Sequence, residues 1–578
     1  MQFTGARILV ETLIEQGVDT IFGYPGGSVL HIYDELYRQS KRIRHILVSH
    51  EQHAAHAADG YARSSGKPGV CLATSGPGAT NLVTGIATAA IDSVPIVAIT
   101  GNVSVPLLGK DSFQEVDITG ITMPIVKHNW IVKDVKDLAE VVREAFIVAV
   151  SGRPGPVLID IPKDVTAALC EWKKNAASGK VKPCAGDVED ITSVRAKRLA
   201  ERGRRETFTA DDIEKAAALL MEARRPVLYA GGGVILSGAE AELKRMAEIL
   251  NAPVALSLMG MGAFPHDHRL CTGLIGMHGT AASNKAVQKA DLLVAIGARF
   301  SDRVTSQVER FAHTAKILHI DIDPAEINKN VQSTAFVTGD VKAVLERLIQ
   351  TLPAKMATEW NGEIEEWKAI IPKDHHRKAA LHPRFVIQQT ASALGEPAIA
   401  VTDVGQHQIW TAQFYPFNRP RSFLSSGGMG TMGYGMGAAM GAKAANPGCP
   451  VALFSGDGCF RMNCAEMATL VRYSLPVLII VFNNHTLGMV RQWQNFFYEG
   501  RYSETDLDRR GPDFIKLAAA YDVPAFRADS EESFMEAVTQ GITHNKAGRP
   551  ALIEAVIDKD ERVLPMVPGG RPIDEQIM

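Results

Sequence analysis

Two groups of oxygen-bearing side chains follow apolar, strand-like runs in the last third of the chain. Asp457 stands between two glycines directly after VALFS, and Asn483 and Asn484 follow VLIIVF. A helix predicted from Met462 to Tyr473 would join the two runs as parallel strands, so that Asp457 and Asn484 share the carboxyl edge of a sheet. A carboxylate, an amide oxygen and a backbone carbonyl beside a helix N-terminus suit Mg²⁺ holding a diphosphate. A turn followed by a polar loop is the alternative interpretation.

A further carboxylate follows a strand-like run much earlier in the chain. Glu51 comes directly after ILVSH and begins the helical pattern EQHAAHAADGYA. At a strand's carboxyl end such a group can share a proton with a bound heterocycle; the alternative is an acid stabilised by the helix dipole. His50, His53 and His56 recur at three-residue steps nearby. Because no carboxylate or cysteine completes a ligand set, we expect partly buried histidines rather than a metal site.

The elements that must position these groups alternate between strand and helix patterns along the whole chain. This alternation is typical of parallel sheets with helices on both faces. Residues 1–170 form the first unit, and the charged segment 171–208 is a predicted linker. The second unit, 209–355, opens with a helix that Thr209 is predicted to cap, and the third spans 356–578. We therefore predict an α/β protein with three doubly wound parallel-sheet domains in series.

Length and composition set limits on the class of protein. The chain has 578 residues, of which 46% are hydrophobic and 22% charged, and its formal net charge is −3. These are ordinary soluble-globular values, and they give no electrostatic case for binding nucleic acid or an anionic membrane. The chain has no apolar run near the ~20 residues of a membrane span and no secretory start, so we expect a cytoplasmic protein. Seven scattered cysteines indicate neither disulfides nor zinc.

Three glycine-rich loops follow strand-like runs and are candidates for backbone contacts with a ligand. TSGPGATN runs from Thr74 to Asn81, and GMGTMG from Gly428 to Gly433 satisfies G-x-G-x-x-G. GGG at positions 231–233 would leave its N–H groups free to face an anion. A tight turn suffices to explain TSGPGATN and is the favoured interpretation of GGG by itself, and the G-x-G-x-x-G match is a weak signal alone.

The order of these motifs resembles a known family. GDG followed by NN looks like the thiamine-diphosphate motif of the thiamine enzymes, and LGMVRQWQ is similar to the large catalytic subunit of acetohydroxyacid (acetolactate) synthase. HEQ, TSGPGATN, GGMGTMGYG and PMVPGG extend the resemblance from about residue 4 to about residue 570. The resemblance implies pyrimidine-binding and diphosphate-binding domains flanking a central FAD domain. It also implies the first common step of valine, leucine and isoleucine biosynthesis, which forms 2-acetolactate or 2-aceto-2-hydroxybutyrate from two 2-keto acids.

The resemblance assigns roles to individual residues around thiamine diphosphate. Glu51 would hydrogen-bond the aminopyrimidine ring, with Gln114 and Lys163 as further catalytic residues. Asp457, Asn484 and the carbonyl of Thr486 would hold Mg²⁺. The implied thiamine-diphosphate contacts are Glu51, Thr74, Pro77, Gln114, Gly430, Met432, Gly456, Asp457, Gly458, Asn484 and Met489.

A second implied site binds FAD, which is structural rather than redox-active in this family. The implied FAD contacts are Arg153, Gly231, Gly232, His278, Gly297, Arg299, Arg303, Asp321, Ile322, Gly339, Asp340 and Val341. Phe113, Arg303 and Trp493 match positions that contact the substrates, and the tryptophan favours the larger 2-ketobutyrate. One departure is Ser301, because the family usually has an acid at this position. A serine at this position keeps a hydrogen-bonding group and loses a charge, and the resemblance still implies FAD binding.

The resemblance also implies partners. Pyruvate and 2-ketobutyrate would be the substrates, and a small regulatory subunit would bind the catalytic chain. Glu51 and the GDG…NN motif lie in different domains, which in the resembled enzymes meet across a subunit interface, so a homodimer or homotetramer is expected. The competing interpretations are another thiamine enzyme, such as a pyruvate oxidase, a 2-keto acid decarboxylase or an FAD-free acetolactate synthase, and a flavoprotein or nucleotide-binding regulator without catalysis. Arg303 and Trp493 argue against the former, and Glu51 with Asp457 and Asn484 against the latter.

Overall fold

Three six-stranded parallel sheets follow one another along the chain, with helices packed around each. The computed structural model describes residues 2–174, 207–354, 360, 362–372, 381–507 and 511–578, so most of the predicted linker 171–208 lies outside the described residues. The α/β class predicted from the sequence is confirmed. The sheets fall within 1–170, 209–355 and 356–578, and those limits themselves stay predictions. No helix in the described ranges is long and apolar enough to cross a membrane.

The first sheet carries Glu51 at the carboxyl end of one of its strands. Its unit contains the strands β1 (Gln2–Thr4), β2 (Thr20–Gly23), β3 (Arg44–Leu47), β4 (Gly69–Ala73), β5 (Ile96–Asn102), β6 (His128–Ile131), β7 (Val157–Pro162) and β8 (Leu169–Glu171). Its helices are α1 (Gly5–Glu15), α2 (Leu30–Arg38), α3 (Glu51–Ser65), α4 (Pro77–Asn81), α5 (Val83–Ile91), α6 (Ile118–Thr122), α7 (Leu138–Val150) and α8 (Lys163–Ala167), with 3₁₀ turns at Val105–Leu107 and Met123–Ile125. The sheet order is β3-β2-β4-β5-β7-β6, and β1 pairs with β8 in a separate antiparallel ribbon.

The second sheet has the order β11-β10-β9-β12-β13-β14. These strands are β9 (Pro226–Ala230), β10 (Val254–Leu256), β11 (Cys271–Leu274), β12 (Leu292–Ile296), β13 (Lys316–Asp321) and β14 (Ala335–Thr338). The helices are α9 (Ala210–Glu222), α10 (Gly232–Ser237), α11 (Glu240–Leu250), α12 (Ala281–Lys289), α13 (Asp302–Thr305), α14 (Val341–Thr351) and α15 (Glu363–Lys368), with 3₁₀ turns at Leu258–Gly260 and Val308–Arg310. The predicted cap of α9 is confirmed, because Thr209 and Asp212 form a reciprocal capping box.

The third sheet has the order β16-β15-β17-β18-β20-β19. These strands are β15 (Ile399–Thr402), β16 (Phe423–Leu424), β17 (Val451–Gly456), β18 (Val477–Asn483), β19 (Ala525–Ala528) and β20 (Ala551–Val556). The helices are α16 (Pro383–Leu394), α17 (Gln406–Phe414), α18 (Gly435–Ala445), α19 (Asp457–Asn463), α20 (Met467–Arg472), α21 (Gly488–Phe497), α22 (Phe514–Ala520) and α23 (Glu531–Lys546), with a 3₁₀ turn at Cys464–Glu466.

One predicted element of the third unit is wrong. The apolar spacing predicts a single helix from Met462 to Tyr473, whereas the chain turns helical already at Asp457 and is interrupted by the 3₁₀ turn Cys464–Glu466. The prediction failed because the helix starts at Asp457, the acid between two glycines. Tertiary packing buries this acid, and apolar periodicity carries no signal for it. The parallel pairing of β17 with β18 was predicted correctly.

The first and third units share one hydrophobic core. Helix α3 packs along α18 so closely that a Cβ atom added to Gly60 would collide with the backbone of Ala438, and one added to Gly441 would collide with Ala57. Small residues at these crossings let two helix backbones approach to direct contact. The N-terminal and C-terminal units of one chain are therefore joined through α3, the helix that begins with Glu51.

Candidate active site

Asp457 occupies the turn between β17 and α19 and is almost completely buried. The residue is 2% exposed, and its Oδ2 has no hydrogen-bond partner among the described residues. Burial raises the pKa of Asp457 to about 7, because an ionised carboxylate away from water loses its solvation. A cation at Oδ2 would replace that solvation. The donor chemistry of this turn therefore fits a divalent metal ion.

The two asparagines after β18 have different roles. Asn483 donates from Nδ2 to Glu554 at 2.6 Å and is thereby held against the sheet. Asn484 instead lines a cavity of about 80 Å³ together with Asp457 and Thr486, and its Oδ1 accepts a hydrogen bond from the Thr486 N–H at 3.2 Å. The described residues contain no group of three or more His, Cys, Asp or Glu side chains suited to a metal ion. A magnesium site built from one carboxylate, one amide and one backbone carbonyl needs only one such side chain.

The same cavity contains residues that sequence reasoning missed. Gly405, Gln406 and His407 line it at the start of α17, where unpaired backbone N–H groups favour an anion. His407 is buried, its Nε2 has no partner among the described atoms, and burial lowers its pKa to about 3, so the imidazole is neutral. The signal was present in the strand-like run AIAVTDVG, which ends in a glycine ahead of a helix. The other predicted residues at this cavity are Met432, Gly456, Gly458 and Met489.

A larger cavity of about 710 Å³ lies beside the first, between the central unit and the other two. Its volume is in the range that proteins use for cofactors and drug-sized ligands. Val404, Gly405 and Met489 line both cavities, so the two are adjacent. Every residue that the sequence assigned to FAD lines the larger cavity except Gly339, and Gly430 and Trp493 line it as well. Sequence positions spread over three units thus converge on one space.

The glycine triplet at 231–233 does not leave all of its N–H groups free to face an anion, the less favoured of the two interpretations of its sequence. Gly231 donates its N–H to Ile296 O at 3.0 Å, and Gly233 donates to Gly297 O at 3.0 Å. Two of the three amides are therefore used to join adjacent strand ends. Side chains at Gly231 or Gly233 would collide with the backbone at Gly297, so close packing explains these glycines.

The large cavity is bordered by both signs of charge. The guanidinium-bearing residues Arg299 and Arg303 line it, and Arg303 is 68% exposed at its side chain. Burial raises the pKa of Asp321 to about 6 and lowers that of His278 to about 4. The Nδ1 of His278 lies 3.1 Å from the carbonyl oxygen of Pro565, so Nδ1 carries the proton. Guanidinium donors suit phosphate oxygens, and a neutral histidine suits a polar uncharged ring.

Glu51 belongs to a separate cluster in the N-terminal unit. It is the first residue of α3, and its Oε2 accepts a hydrogen bond from Asn81 Nδ2 at 2.9 Å. The TSGPGATN loop wraps this carboxylate, because a Cβ added to Gly78 would lie 3.2 Å from Glu51 Oε1 and 2.8 Å from Thr74 Cγ2. Gln114, in a left-handed conformation with φ of 60°, lies against Gly76. Asn81 is a further residue that sequence reasoning did not assign, since only the folded loop brings it to Glu51.

The N-terminal cluster is open to solvent on one side. Phe113 is 89% exposed, and Pro77 and Lys163 are also exposed. Neither of the two cavities described above is lined by Glu51, Thr74 or Gln114. One chain therefore brings the predicted metal residues and nearly all predicted FAD residues together with Arg303 and Trp493, but leaves the Glu51 cluster, including Phe113, apart from them.

The histidines near Glu51 have ordinary structural partners. His50 caps α3 by accepting from the Gln52 N–H at 3.2 Å, and His53 Nδ1 lies 2.8 Å from Glu466 Oε1. Burial lowers the pKa of His56 to about 3. Within the ranges that the structure describes, they form no metal-binding group.

Comparison with known proteins places the whole chain in a defined context. Residues 3–121 match the N-terminal TPP binding domain of thiamine pyrophosphate enzymes, residues 213–348 their central domain, and residues 403–555 their C-terminal TPP binding domain. The chain is 46% identical to the acetolactate synthase of Mycobacterium bovis, over 99% of this chain and 91% of the relative. It is 48% identical to the probable acetolactate synthase large subunit of Methanocaldococcus jannaschii, over 98% and 94% of the two chains. It is 47% identical to the acetolactate synthase large subunit of Corynebacterium glutamicum, over 98% and 89%.

Proposed function

The chain belongs to the acetolactate synthase large subunits among the thiamine pyrophosphate enzymes, and from this membership we propose that it decarboxylates pyruvate and joins the remaining two-carbon unit to a second 2-keto acid. The product is 2-acetolactate when the acceptor is pyruvate and 2-aceto-2-hydroxybutyrate when it is 2-ketobutyrate. This reaction is the first common step of branched-chain amino acid biosynthesis.

The observation that carries the proposal is the buried turn at Asp457. Its Oδ2 lacks a partner among the described residues, and Asn484 and Thr486 line the same cavity. We assign Mg²⁺ to Asp457 Oδ2, the Asn484 amide oxygen and the Thr486 carbonyl, with diphosphate oxygens completing the shell. The backbone at the start of α17 would meet the diphosphate. When bound, thiamine diphosphate supplies a carbon nucleophile for the pyruvate carbonyl and an electron sink for the loss of CO₂.

The proton chemistry is assigned to Glu51. Its carboxylate holds and releases a proton at the aminopyrimidine ring, and Asn81 fixes the orientation of the carboxylate through Oε2. Gln114 and Thr74 lie against the glycine loop beside Glu51, near Gly76 and Gly78 respectively. Met432 lies close to Gly458, because a Cβ added there would be 3.7 Å from Met432 Cε. It would support the cofactor from the C-terminal unit.

The larger cavity is assigned to FAD and the second substrate. The set of glycines, arginines and the neutral His278 fits a dinucleotide with a diphosphate bridge, and FAD would act there as a structural cofactor. Arg303, exposed at the cavity, would receive the carboxylate of the second keto acid through two parallel hydrogen bonds. Trp493 would contact its side chain.

The separation of the two clusters supports a homodimer or homotetramer. A second copy of the chain would bring its Asp457 cavity to the exposed Glu51 cluster, so that each active site takes residues from both chains. Phe113, at 89% exposure, would be covered in such an assembly. We extend the proposal to a small regulatory subunit, since two of the relatives are named as large subunits.

The deciding experiment is product analysis. Purified protein is incubated with pyruvate, thiamine diphosphate, Mg²⁺ and FAD, and the products are identified by chromatography. Formation of 2-acetolactate with stoichiometric CO₂ supports the proposal. Acetaldehyde would indicate a decarboxylase, acetyl phosphate would indicate an oxidase, and absence of CO₂ release would indicate a protein that has kept the fold without catalysis.

A further inference from the structure

Glu466 is a buried carboxylate of the C-terminal unit that holds the backbone just before Glu51. It is 0% exposed, and its Oε1 accepts hydrogen bonds from the Ser49 N–H at 2.8 Å and the His50 N–H at 3.2 Å. His53 Nδ1 lies 2.8 Å from the same oxygen. Its Oε2 accepts from the Thr469 hydroxyl at 2.6 Å. The two residues that immediately precede Glu51 are therefore anchored to the other unit of their own chain.

Asp92 makes the reciprocal contact from the N-terminal unit. It follows α5, its side chain is 0% exposed, and its Oδ2 accepts from Arg63 Nη2 at 3.0 Å. The Gly427 N–H donates to Oδ2 at 3.0 Å and the Gly428 N–H donates to Oδ1 at 2.8 Å. These glycines begin the loop that leads to Gly430 and Met432. A Cβ at Gly428 would lie 2.8 Å from Asp92 Oδ1, so the close approach requires glycine.

The two contacts have the same form. Each unit supplies one buried carboxylate, and each carboxylate takes two consecutive backbone N–H groups of the other unit. In both cases the held backbone leads within a few residues to a group assigned to the cofactor, Glu51 on one side and Met432 on the other. Charge-assisted hydrogen bonds of this kind are short and directional, and catalysis is sensitive to displacements of about 1 Å.

We propose that Glu466 and Asp92 are positioning residues of the active site, Glu466 for the Glu51 carboxylate and Asp92 for the Gly430–Met432 loop. This inference rests on the proposed function, which assigns Glu51 and the Gly430–Met432 loop to the cofactor. Neither carboxylate lines the cavity assigned to Mg²⁺, whereas Asp92 borders the larger cavity assigned to FAD. Both act on the reaction through the backbone that they hold.

Four variants test the two assignments separately: Glu466→Gln, Glu466→Ala, Asp92→Asn and Asp92→Ala. The first readout is amide hydrogen exchange by mass spectrometry on the protein without cofactors. Glu466→Ala should raise exchange in the peptide containing Ser49 and His50, and Asp92→Ala should raise it in the peptide containing Gly427 and Gly428. Each variant should leave the other variant's peptide protected. The Gln and Asn variants keep one acceptor oxygen and give smaller changes, and they remain informative if the alanine variants do not fold.

The second readout separates proton chemistry from cofactor binding. In D₂O, the C2 proton of bound thiamine diphosphate exchanges at a rate that depends on Glu51. Glu466→Ala should slow this exchange by about 10²-fold while the KM for thiamine diphosphate changes by less than about threefold, because the diphosphate anchor is untouched. Asp92→Asn should raise that KM, because the loop with Gly430 and Met432 borders the cofactor.

Glu15→Gln is the matched control. Glu15 is also a buried carboxylate, and it accepts from Arg143 Nε at 2.7 Å within the N-terminal unit, away from both loops. Its variant should lower the melting temperature without slowing C2 exchange in the folded fraction. If Glu15→Gln slows C2 proton exchange equally, Glu466 and Asp92 are only general stabilising groups, and the proposal is overturned.

The outcomes distinguish this inference from the proposed function. If wild-type protein forms no acetolactate and exchanges no C2 proton, the proposed function fails, and the positioning roles fail with it even where the amide-exchange changes appear. If wild-type protein is active and folded Glu466→Ala keeps normal C2 exchange, the positioning role of Glu466 fails alone. If the KM for thiamine diphosphate is unchanged in Asp92→Asn and Asp92→Ala, the role of Asp92 fails alone.

Discussion

The N-terminal and C-terminal clusters differ in how completely one chain builds them. Around Asp457 the chain encloses a cavity with carboxylate, amide and carbonyl oxygens and a helix start on its walls. Around Glu51 the chain supplies the carboxylate, its Asn81 partner and a glycine loop, but Phe113 stands 89% exposed beside them. The metal-holding half of the site is closed, and the proton-handling half is open.

The difference follows from the chemistry of each half. A divalent cation needs several oxygen ligands at fixed distances, and rigid strand ends of one sheet provide them best. A proton-exchanging carboxylate needs only one orienting hydrogen bond and a partner heterocycle. The open half around Glu51 can therefore be completed by a surface of another chain. The closed half around Asp457 needs all of its protein ligands from one chain. The following predictions test this comparison in order of decreasing effect.

Glu51→Gln should have the largest effect. The amide keeps the shape of Glu51 but cannot take up a proton, and general acid–base groups contribute about 10²–10⁴-fold to rates. We expect the rate of acetolactate formation to fall by that factor, while FAD absorbance and Mg²⁺-dependent binding of thiamine diphosphate are retained. Steady-state kinetics and cofactor titration measure these quantities. Near-normal turnover would remove Glu51 from its assigned role.

Mixing two inactive variants tests whether the open half is completed by a second chain. Glu51→Gln and Asp457→Asn are each expected to be inactive, and a mixed dimer would contain one site with both wild-type residues. Random reassociation of equal amounts should restore roughly a quarter of wild-type activity, because half of the dimers are mixed and each has one intact site. Refolding the variants together, with each one refolded alone as control, measures the gain. Absence of any gain would place both residues of a site in the same chain.

Asp457 should make the closed half sensitive to pH. Its pKa is raised to about 7 from an ordinary value of 3.8, so the metal-free native state binds a proton that the unfolded state has lost. The free energy of unfolding should therefore fall as pH rises from about 4 to about 7. Asp457→Asn should lack this component. Urea unfolding in EDTA at several pH values measures the difference between the two proteins, and parallel curves would contradict the prediction.

The same titration should appear in metal binding. Protons compete with Mg²⁺ for the Asp457 carboxylate, so Mg²⁺ affinity should fall about tenfold per pH unit below about 7. This amounts to about 10²-fold between pH 7 and pH 5. Calorimetric titration with thiamine diphosphate present measures the affinity, and Asp457→Asn serves as the reference that lacks this carboxylate.

Trp493→Leu should change substrate preference by a smaller factor. Trp493 lines the large cavity, and one methylene of substrate is worth about 1–3 kcal/mol in a hydrophobic pocket. We expect the ratio of kcat/KM for 2-ketobutyrate to that for pyruvate, each as acceptor, to fall by about tenfold or more. Competition between the two acceptors measures the ratio. Phe497→Leu is the control, because its ring centroid is 5.0 Å from that of Trp493 but Phe497 does not line the cavity.

The sequence predicted the elements whose pattern is local. The strand-like runs of β17 and β18 are apolar except for Ser455 and end in glycine or asparagine, so both their type and their parallel pairing could be predicted. The capping box of Thr209 with Asp212 was visible for the same reason. Such features depend on residues a few positions apart.

The sequence could not predict features that depend on distant contacts. Asn483 and Asn484 look equivalent in the sequence, and only the bond to Glu554 assigns the first to the sheet. The triplet 231–233 left a turn and an anion cradle as alternatives, and only the folded chain shows that Ile296 and Gly297 use two of its amides. The contact of Glu466 with Ser49 joins residues 417 positions apart, and no local pattern predicts it.

Ser301→Asp should have the smallest effect of the series. Ser301 lines the large cavity and precedes α13 without a side-chain capping bond. Its neighbours Asp302 and Arg303 are 3.6 Å apart and 79% and 68% exposed at their side chains, so solvent screens any added charge. We expect the FAD dissociation constant to change by less than about fivefold, with Ser301→Asn separating the effect of shape from that of charge. Fluorescence titration with FAD measures this constant. A change above tenfold in Ser301→Asp alone would mean that this position faces the bound cofactor directly and that its missing acid sets the affinity for FAD.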